Sequence, residues 1–190
     1  MSRAAHNLIL ALRAFGRARD GATAVEFAFI AGPLLMLIFG ILELALVFMM
    51  STALESATTS AARAIRTGEM QTSGAASKEG FAEAVCDRMS WLGPSCGSNL
   101  YVDVRTYDDF TSLKDDPAQG GSSFDENNTC WSPGGPADIV LVRTYYSWQI
   151  FTPLISSALV NSGTDKRLLT AVDAFRNEPY SDQAPTGAGC

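Results

Sequence analysis

By residue type alone, the groups in this 190-residue chain best suited to chemistry are one histidine, His6, and four cysteines, Cys86, Cys96, Cys130 and Cys190. His6 lies in a basic head apart from the rest of the chain, so no Ser-His-Asp or Cys-His triad can assemble in the body. There is no G-x-S-x-G elbow, no Walker A lysine loop and no dinucleotide-binding glycine pattern. Carboxylates are so numerous that any chosen acid–base pair would be arbitrary. The cysteines form no C-x-x-C pair and have no histidine near them, which argues against zinc. Asp108, Asp109, Asp115, Asp116, Asp125 and Glu126 crowd one segment, but without EF-hand spacing they read as a solvated acidic loop. The chain is therefore expected to be no enzyme and to need neither cofactor nor metal. Four cysteines in a part expected to be exported fit disulfides made in an oxidising compartment. Of the three possible connectivities, Cys86–Cys96, local across Gly93-Pro94, and Cys130–Cys190, tying back the C-terminal tail, are expected.

The charges are sorted along the chain. Residues 1–21 carry a net +3, residues 22–54 hold only Glu26 and Glu43, and residues 55–190 carry a net −7. A body without a basic face is a poor nucleic-acid partner. Phe27–Met50 is apolar except for Glu43. Its twenty-four residues make about 36 Å of helix, enough to cross a hydrocarbon core of about 30 Å. The run is longer than a secretory h-region and continues into an Ala-rich helical segment. The preceding arginines place the N-terminus in the cytoplasm and the acidic body outside. Within the run, Ala24, Ala28 and Gly32 share one helix face and permit close approach of a second helix. Pro33 is expected to bend the helix. Glu26 and Glu43 lie about 100° apart around the axis, so one partner cannot serve both. Glu43 is expected to reach the outer interface or, failing that, to pair with a cation on a neighbouring helix.

The string Gly21-Ala-Thr-Ala-Val-Glu26-Phe27, with Arg17 and Arg19 before it and an apolar helix after it, resembles the leader junction of class III signal sequences of type IV prepilins and pseudopilins. Asp20 to Leu35, Phe39-Gly-Ile-Leu-Glu43-Leu and, near the other end, Phe175-Arg-Asn-Glu-Pro-Tyr180 are similar to the TadE/TadG family of tight-adherence (Tad, or Flp) pilus systems. The chain length suits the shorter, TadE-like branch. The resemblance covers residues 17–67 well and 175–180 in part. It implies cleavage between Gly21 and Ala22 by a prepilin peptidase, and a Glu26 and Phe27 that serve assembly. Glu26 would neutralise the new N-terminal amine of an adjoining subunit. The partners implied are other pilins and pseudopilins, the pilus assembly machinery and the inner membrane. Electrostatics agrees: amine and carboxylate would each be costly alone in lipid, and pairing lowers that cost.

These features need elements to position them. A continuous helix Ala22–Thr67 is expected, with Leu54, Ala57, Ala61, Ala64 and Ile65 on an apolar stripe and Arg63 and Arg66 in its last turn. Gln71–Ser77 reads as a linker. Ser77–Met89 reads as a helix, with Phe81, Val85 and Met89 at four-residue spacing. Leu100–Tyr107 alternates as a half-buried strand. Asp108–Gly135 reads as a long loop, and Ile139–Phe151 as a strand ended by Pro153. Asp165–Arg176 carries Leu168, Leu169, Val172 and Phe175 at helical spacing. It predicts a third helix capped at Ser162-x-x-Asp165 and ended by Asn177 and Pro179. The fold expected is α+β: a long, partly transmembrane N-terminal helix on a small antiparallel-sheet and helix body, as in pilins. The organisation expected is a leader 1–21, a helix 22–67 and an exported body 68–190. Two readings of the whole chain follow. One is a minor pseudopilin of a Tad-type pilus, cut after Gly21. The other is an uncleaved single-pass membrane protein whose periplasmic body binds a partner or ligand.

Overall fold

The computed structural model describes residues 21–73, 76–92, 95–113, 118, 124–152, 156–163 and 165–180. The chain is α+β, and it divides into two compact units, Met1–Leu42 and Glu43–Cys190. Helix α1, Ala22–Arg66, runs through both. It is long and apolar enough to cross a membrane. Pro33 lies inside it without interrupting the helix assignment.

In the second unit the part of α1 from Glu43 onward buries one stripe at three- and four-residue spacing: Glu43, Val47, Met50, Leu54, Ala57, Ala61 and Ile65. That spacing keeps the side chains on one face. The stripe packs on an antiparallel sheet of order β1-β2-β3, formed by Leu100–Tyr107, Ile139–Gln149 and Lys166–Arg176. Val102, Val104, Val140, Val142, Tyr146, Leu169, Ala171 and Phe175 supply the sheet's side of this core. At its centre the Thr58 and Thr144 hydroxyls hydrogen-bond each other at 2.6 Å, so neither polar group is buried unpaired. Short helix α2, Glu69–Thr72, follows α1. Helix α3, Lys78–Arg88, is N-capped by Ser77, whose hydroxyl accepts the Gly80 N–H, and it buries Phe81 and Val85. Short helices α4, Ser95–Asn99, and α5, Ser156–Leu159, are the other α-helices among the described residues.

Central strand β2 is buried on both faces along most of its length. On the side away from α1, Phe124 stacks between Tyr101 and Tyr145, with centroids 5.1 and 4.9 Å away. On that same side the Asp103 carboxylate is fully buried. It accepts the Arg105 Nε–H at 2.9 Å, an Arg143 N–H at 3.4 Å and the Cys130 backbone N–H at 2.7 Å. This cluster holds the returning loop against the free edge of β1, where the Val104 N–H donates to Cys130 O and the Ser132 N–H donates to Val104 O.

Three local expectations are corrected. Lys166–Arg176 is strand β3, not a helix, and the capping box at Ser162 does not form. β3 pairs in register with all eleven residues of β2, from Ile139↔Arg176 to Gln149↔Lys166. The helical pattern of Leu168, Leu169, Val172 and Phe175 coexists with an alternation of Leu169, Ala171 and Phe175, and the open edge of a doubly buried β2 decides between them. Val172, on the other face, is 54% exposed. The linker expected from Gln71 begins later, because Gln71 is buried within α2. The segment 108–135 is not a plain loop: it includes 3-10 turns at Phe110–Ser112 and Glu126–Asn128 and the Trp131 bridge to Val104.

Candidate functional site

Gly21 is an exposed turn residue, and α1 begins at the next position. Its carbonyl accepts the Val25 N–H at 3.1 Å, so the Gly21–Ala22 peptide lies at the foot of the helix. Ala24, Glu26, Phe27, Ala28 and Gly32 are all exposed. A methyl group added at Gly32 would meet nothing within 4 Å. Glu26 has no hydrogen-bond or ion-pair partner among the described residues. These residues thus lie at the foot of and along one helix, and the other described residues do not cover them. Phe27, Phe29, Ile30, Leu34, Leu37 and Phe39 are each more than half exposed. An apolar surface on this scale is unfavourable in water and requires lipid or other helices around it.

Among the described residues no cation lies against Glu43; its partners are backbone groups of its own chain. It is 4% exposed, and its two oxygens accept the backbone N–H groups of Phe151 and Thr152, each at 2.7 Å. A carboxylate in an apolar stretch is tolerable when donors are supplied to it, and here the segment after β2 supplies them.

The C-terminal motif is a clasp on the end of α1. After β3, the Asn177 N–H donates to Asp138 O, and its side-chain amide donates to Pro133 O at 3.0 Å and Gly135 O at 2.9 Å. The Glu178 N–H donates to Arg66 O at 2.8 Å, satisfying a carbonyl that the helix end leaves open. The Glu178 carboxylate also lies 3.5 Å from the Arg66 guanidinium. The Tyr180 ring covers Gly68, whose φ is +75°, and its hydroxyl donates to Gly134 O at 3.3 Å. Burial, assisted by the Asp138 charge, raises the Tyr180 phenol above its usual value, so it stays a neutral donor. Asn177 and Pro179 therefore end a strand and not a helix, and the motif's work is tertiary. Nothing local in sequence points to Arg66, Gly68 and Gly134 as its partners; only Gly68, just after the helix, signals that a left-handed turn is needed there.

An open groove of about 600 Å³ runs beside the exposed face of α1 between Thr52 and Arg66, with Asp173–Phe175 of β3 as its other wall. Hydroxyls and the Arg63 and Arg66 guanidinium groups line it, and it contains no nucleophile–base pair. Burial raises the Asp173 carboxyl, an effect partly opposed by Arg66. Of the crowded acids, Asp109 caps the turn at Phe110–Ser112, and hydrogen bonds from Thr111 and Ser112 lower its pKa. Asp125 caps Glu126–Asn128. Asp115 and Asp116 lie outside the described residues. Among the described residues no group of three or more metal-ligating side chains forms.

Cys86 and Cys96 are disulfide-bonded, with Cα atoms 5.7 Å apart, joining α3 to α4. Cys130 is disulfide-bonded as well. Its expected partner Cys190 lies outside the described residues, as do Arg17 and Arg19.

Residues 21–63 match the family model described as TadE-like protein. The match opens at Gly21 and runs on within α1, so it covers most of the N-terminal stretch that carried the resemblance and neither the sheet nor Phe175–Tyr180. No curated protein and no solved structure matches the chain.

Proposed function

We propose that the chain is a minor pseudopilin, a structural and assembly component of a Tad-type adhesive pilus. A prepilin peptidase cuts it between Gly21 and Ala22. The organisation is then a cytoplasmic leader 1–21, a helix 22–67 anchored in the bacterial inner membrane through its first half, and a periplasmic body 68–190. After cleavage, Glu26 meets the new amine of Ala22 on an adjoining subunit, and Phe27 packs beside it. Ala24, Ala28 and Gly32 form the face on which a neighbouring pilin helix packs. The protein acts by assembling, not by catalysis.

The observation that carries this reading is a coincidence of boundaries. The TadE-like match begins at Gly21, and Gly21 is the exposed turn immediately before an exposed apolar helix. A protease needs an accessible, non-helical peptide, and glycine extends easily. The carboxylate of Glu26 has no partner among the described residues, which suits a partner on another chain.

Intact mass and N-terminal sequencing of the membrane-extracted protein test it. The expected product begins at Ala22 and has 169 residues. Its formation is lost on Gly21→Leu or when the peptidase is deleted. A chain still beginning at Met1 beside an active prepilin peptidase would refute the proposal.

A further inference from the structure

The apolar run of α1 does not stop at Glu43. Leu44, Leu46, Phe48 and Met49 beyond it are all exposed. Tied to Glu43 is the segment that leaves β2. There the Ile150 N–H donates to Asp165 O at 2.9 Å, and the Phe151 and Thr152 N–H groups donate to Glu43. Residue 153 is proline and has no N–H. Three consecutive residues after β2, Ile150 to Thr152, therefore offer no free amide donor. Phe151 nevertheless exposes 68% of its surface, with the Trp148 ring edge-on at 6.2 Å.

A loop in water needs no such arrangement, because water satisfies its amides. Irregular backbone beside hydrocarbon does need it, since its N–H groups must find partners within the protein; the Trp148 Nε1–H is the donor at this corner that has none among the described residues. The bond is reciprocal: the same two donors make Glu43 tolerable in an apolar medium. Length agrees, because Phe27–Met50 spans about 36 Å and exceeds a hydrocarbon core of about 30 Å. Glu43 lies seven residues, about 10 Å, before Met50, so the segment bound to it sits at the outer end of the run, next to the acyl–headgroup boundary where aromatic side chains concentrate. A protein partner could supply its own donors and acceptors, so a contact with a second copy would not require the loop to be self-satisfied. We infer that the Trp148–Phe151 corner of the body is a lipid-contact site, seated in the boundary region of the leaflet on the body's side. This rests on the membrane-spanning reading of α1, and the experiment separates the two.

The full-length chain is made with p-benzoylphenylalanine in place of Phe151, of Leu37 or of Phe110, which is 53% exposed on the turn after β1. It is reconstituted in phosphatidylethanolamine–phosphatidylglycerol vesicles, irradiated and weighed intact. The expected result is a mass gain of one phospholipid at positions 37 and 151 and none at 110, with the Cys86–Cys96 bond intact in each. An adduct at 37 without one at 151 overturns this inference and leaves the anchor standing. So does a crosslinked dimer at 151 in place of lipid, or equal labelling at 110. No adduct at 37 overturns the anchor, and the inference with it. The unmodified chain provides a second measurement in brominated phosphatidylcholine vesicles. The Trp148 share of the fluorescence, taken by difference from Trp148→Phe, is expected to be quenched; emission unchanged by bromine overturns the contact.

Discussion

Gly68→Ala tests the clasp at its tightest point. Gly68 holds φ at +75°, and a Cβ built on it falls within 2.8 Å of Tyr180 Cδ2 and closer still to the rest of the ring edge. Two costs follow. Forcing alanine into the left-handed region costs about 1–2 kcal/mol. Expelling the ring forfeits the Tyr180 hydroxyl bond to Gly134 O, about 0.5–1.5 kcal/mol, and some apolar burial, for a total of about 2–4 kcal/mol with that area at about 25 cal/mol per Å². A double-mutant cycle separates them. In a Tyr180→Ala background the ring is already gone, so Gly68→Ala should cost only the backbone strain, about 1–2 kcal/mol. The assay is urea unfolding of the full chain in detergent, followed by tryptophan fluorescence, with wild type, both single variants and the double variant measured together. An equal Gly68→Ala penalty in both backgrounds would show that Tyr180 does not cover Gly68. A negligible penalty in both would also remove the left-handed turn, and the clasp reading would fail.

Replacing both Cys86 and Cys96 by serine opens a loop of sequence separation 10 and should cost about 3 kcal/mol by the chain-entropy relation; a urea midpoint unmoved by the replacement, or by reduction of the wild type, contradicts it. Asp103→Asn removes the buried carboxylate that the Arg105 and Arg143 guanidinium groups share and should cost about 3–5 kcal/mol, part of it recovered in Asp103→Asn/Arg143→Met. No recovery in that pair would refute the coupling. Asp173 has a folded-state pKa raised above the usual 3.8 by burial, so its contribution to stability is present below that value and is lost as pH rises through the folded one. Asp173→Asn should thus be at least as stable as wild type at pH 7 and lose that advantage in acid, and urea midpoints at the two ends that show the opposite trend would reverse the assignment.

What the sequence reveals about the fold depends on how far apart the deciding residues are. The helix from Ala22, its end near Arg66, the Ser77 cap and strands β1 and β2 are set by neighbours within a few residues, and local periodicity finds them. β3 is misread because Leu168, Leu169, Val172 and Phe175 fit a helix as well as alternate positions fit a strand. The tie-breaker, an open edge on β2, is not a local property. A strand apolar on both faces such as β2 needs two neighbours, and counting strands on that basis would have exposed the shortage. The partners of Glu43 are missed for the same reason: its donors are 108 and 109 residues away. At the N-terminal site the opposite holds. Gly21, Ala24, Glu26, Phe27, Ala28 and Gly32 are conspicuous in sequence, while the described part of the chain leaves them exposed.

The bond from Glu178 to Arg66 also sets an order in time. The helix that leaves the ribosome first has its last carbonyl capped by residues synthesised more than a hundred positions later. Until residues 166–180 have been synthesised, the Arg66 carbonyl lacks its Glu178 donor, β2 lacks its second neighbour and Gly68 has no ring over it. Closure of such distant contacts is slow relative to helix formation. A chain truncated before them would display an open strand edge beside α1, the kind of surface that invites aggregation or proteolysis. Synthesis of this stretch and completion of the sheet are in this way the same event, and a chain that lacks it carries its own mark.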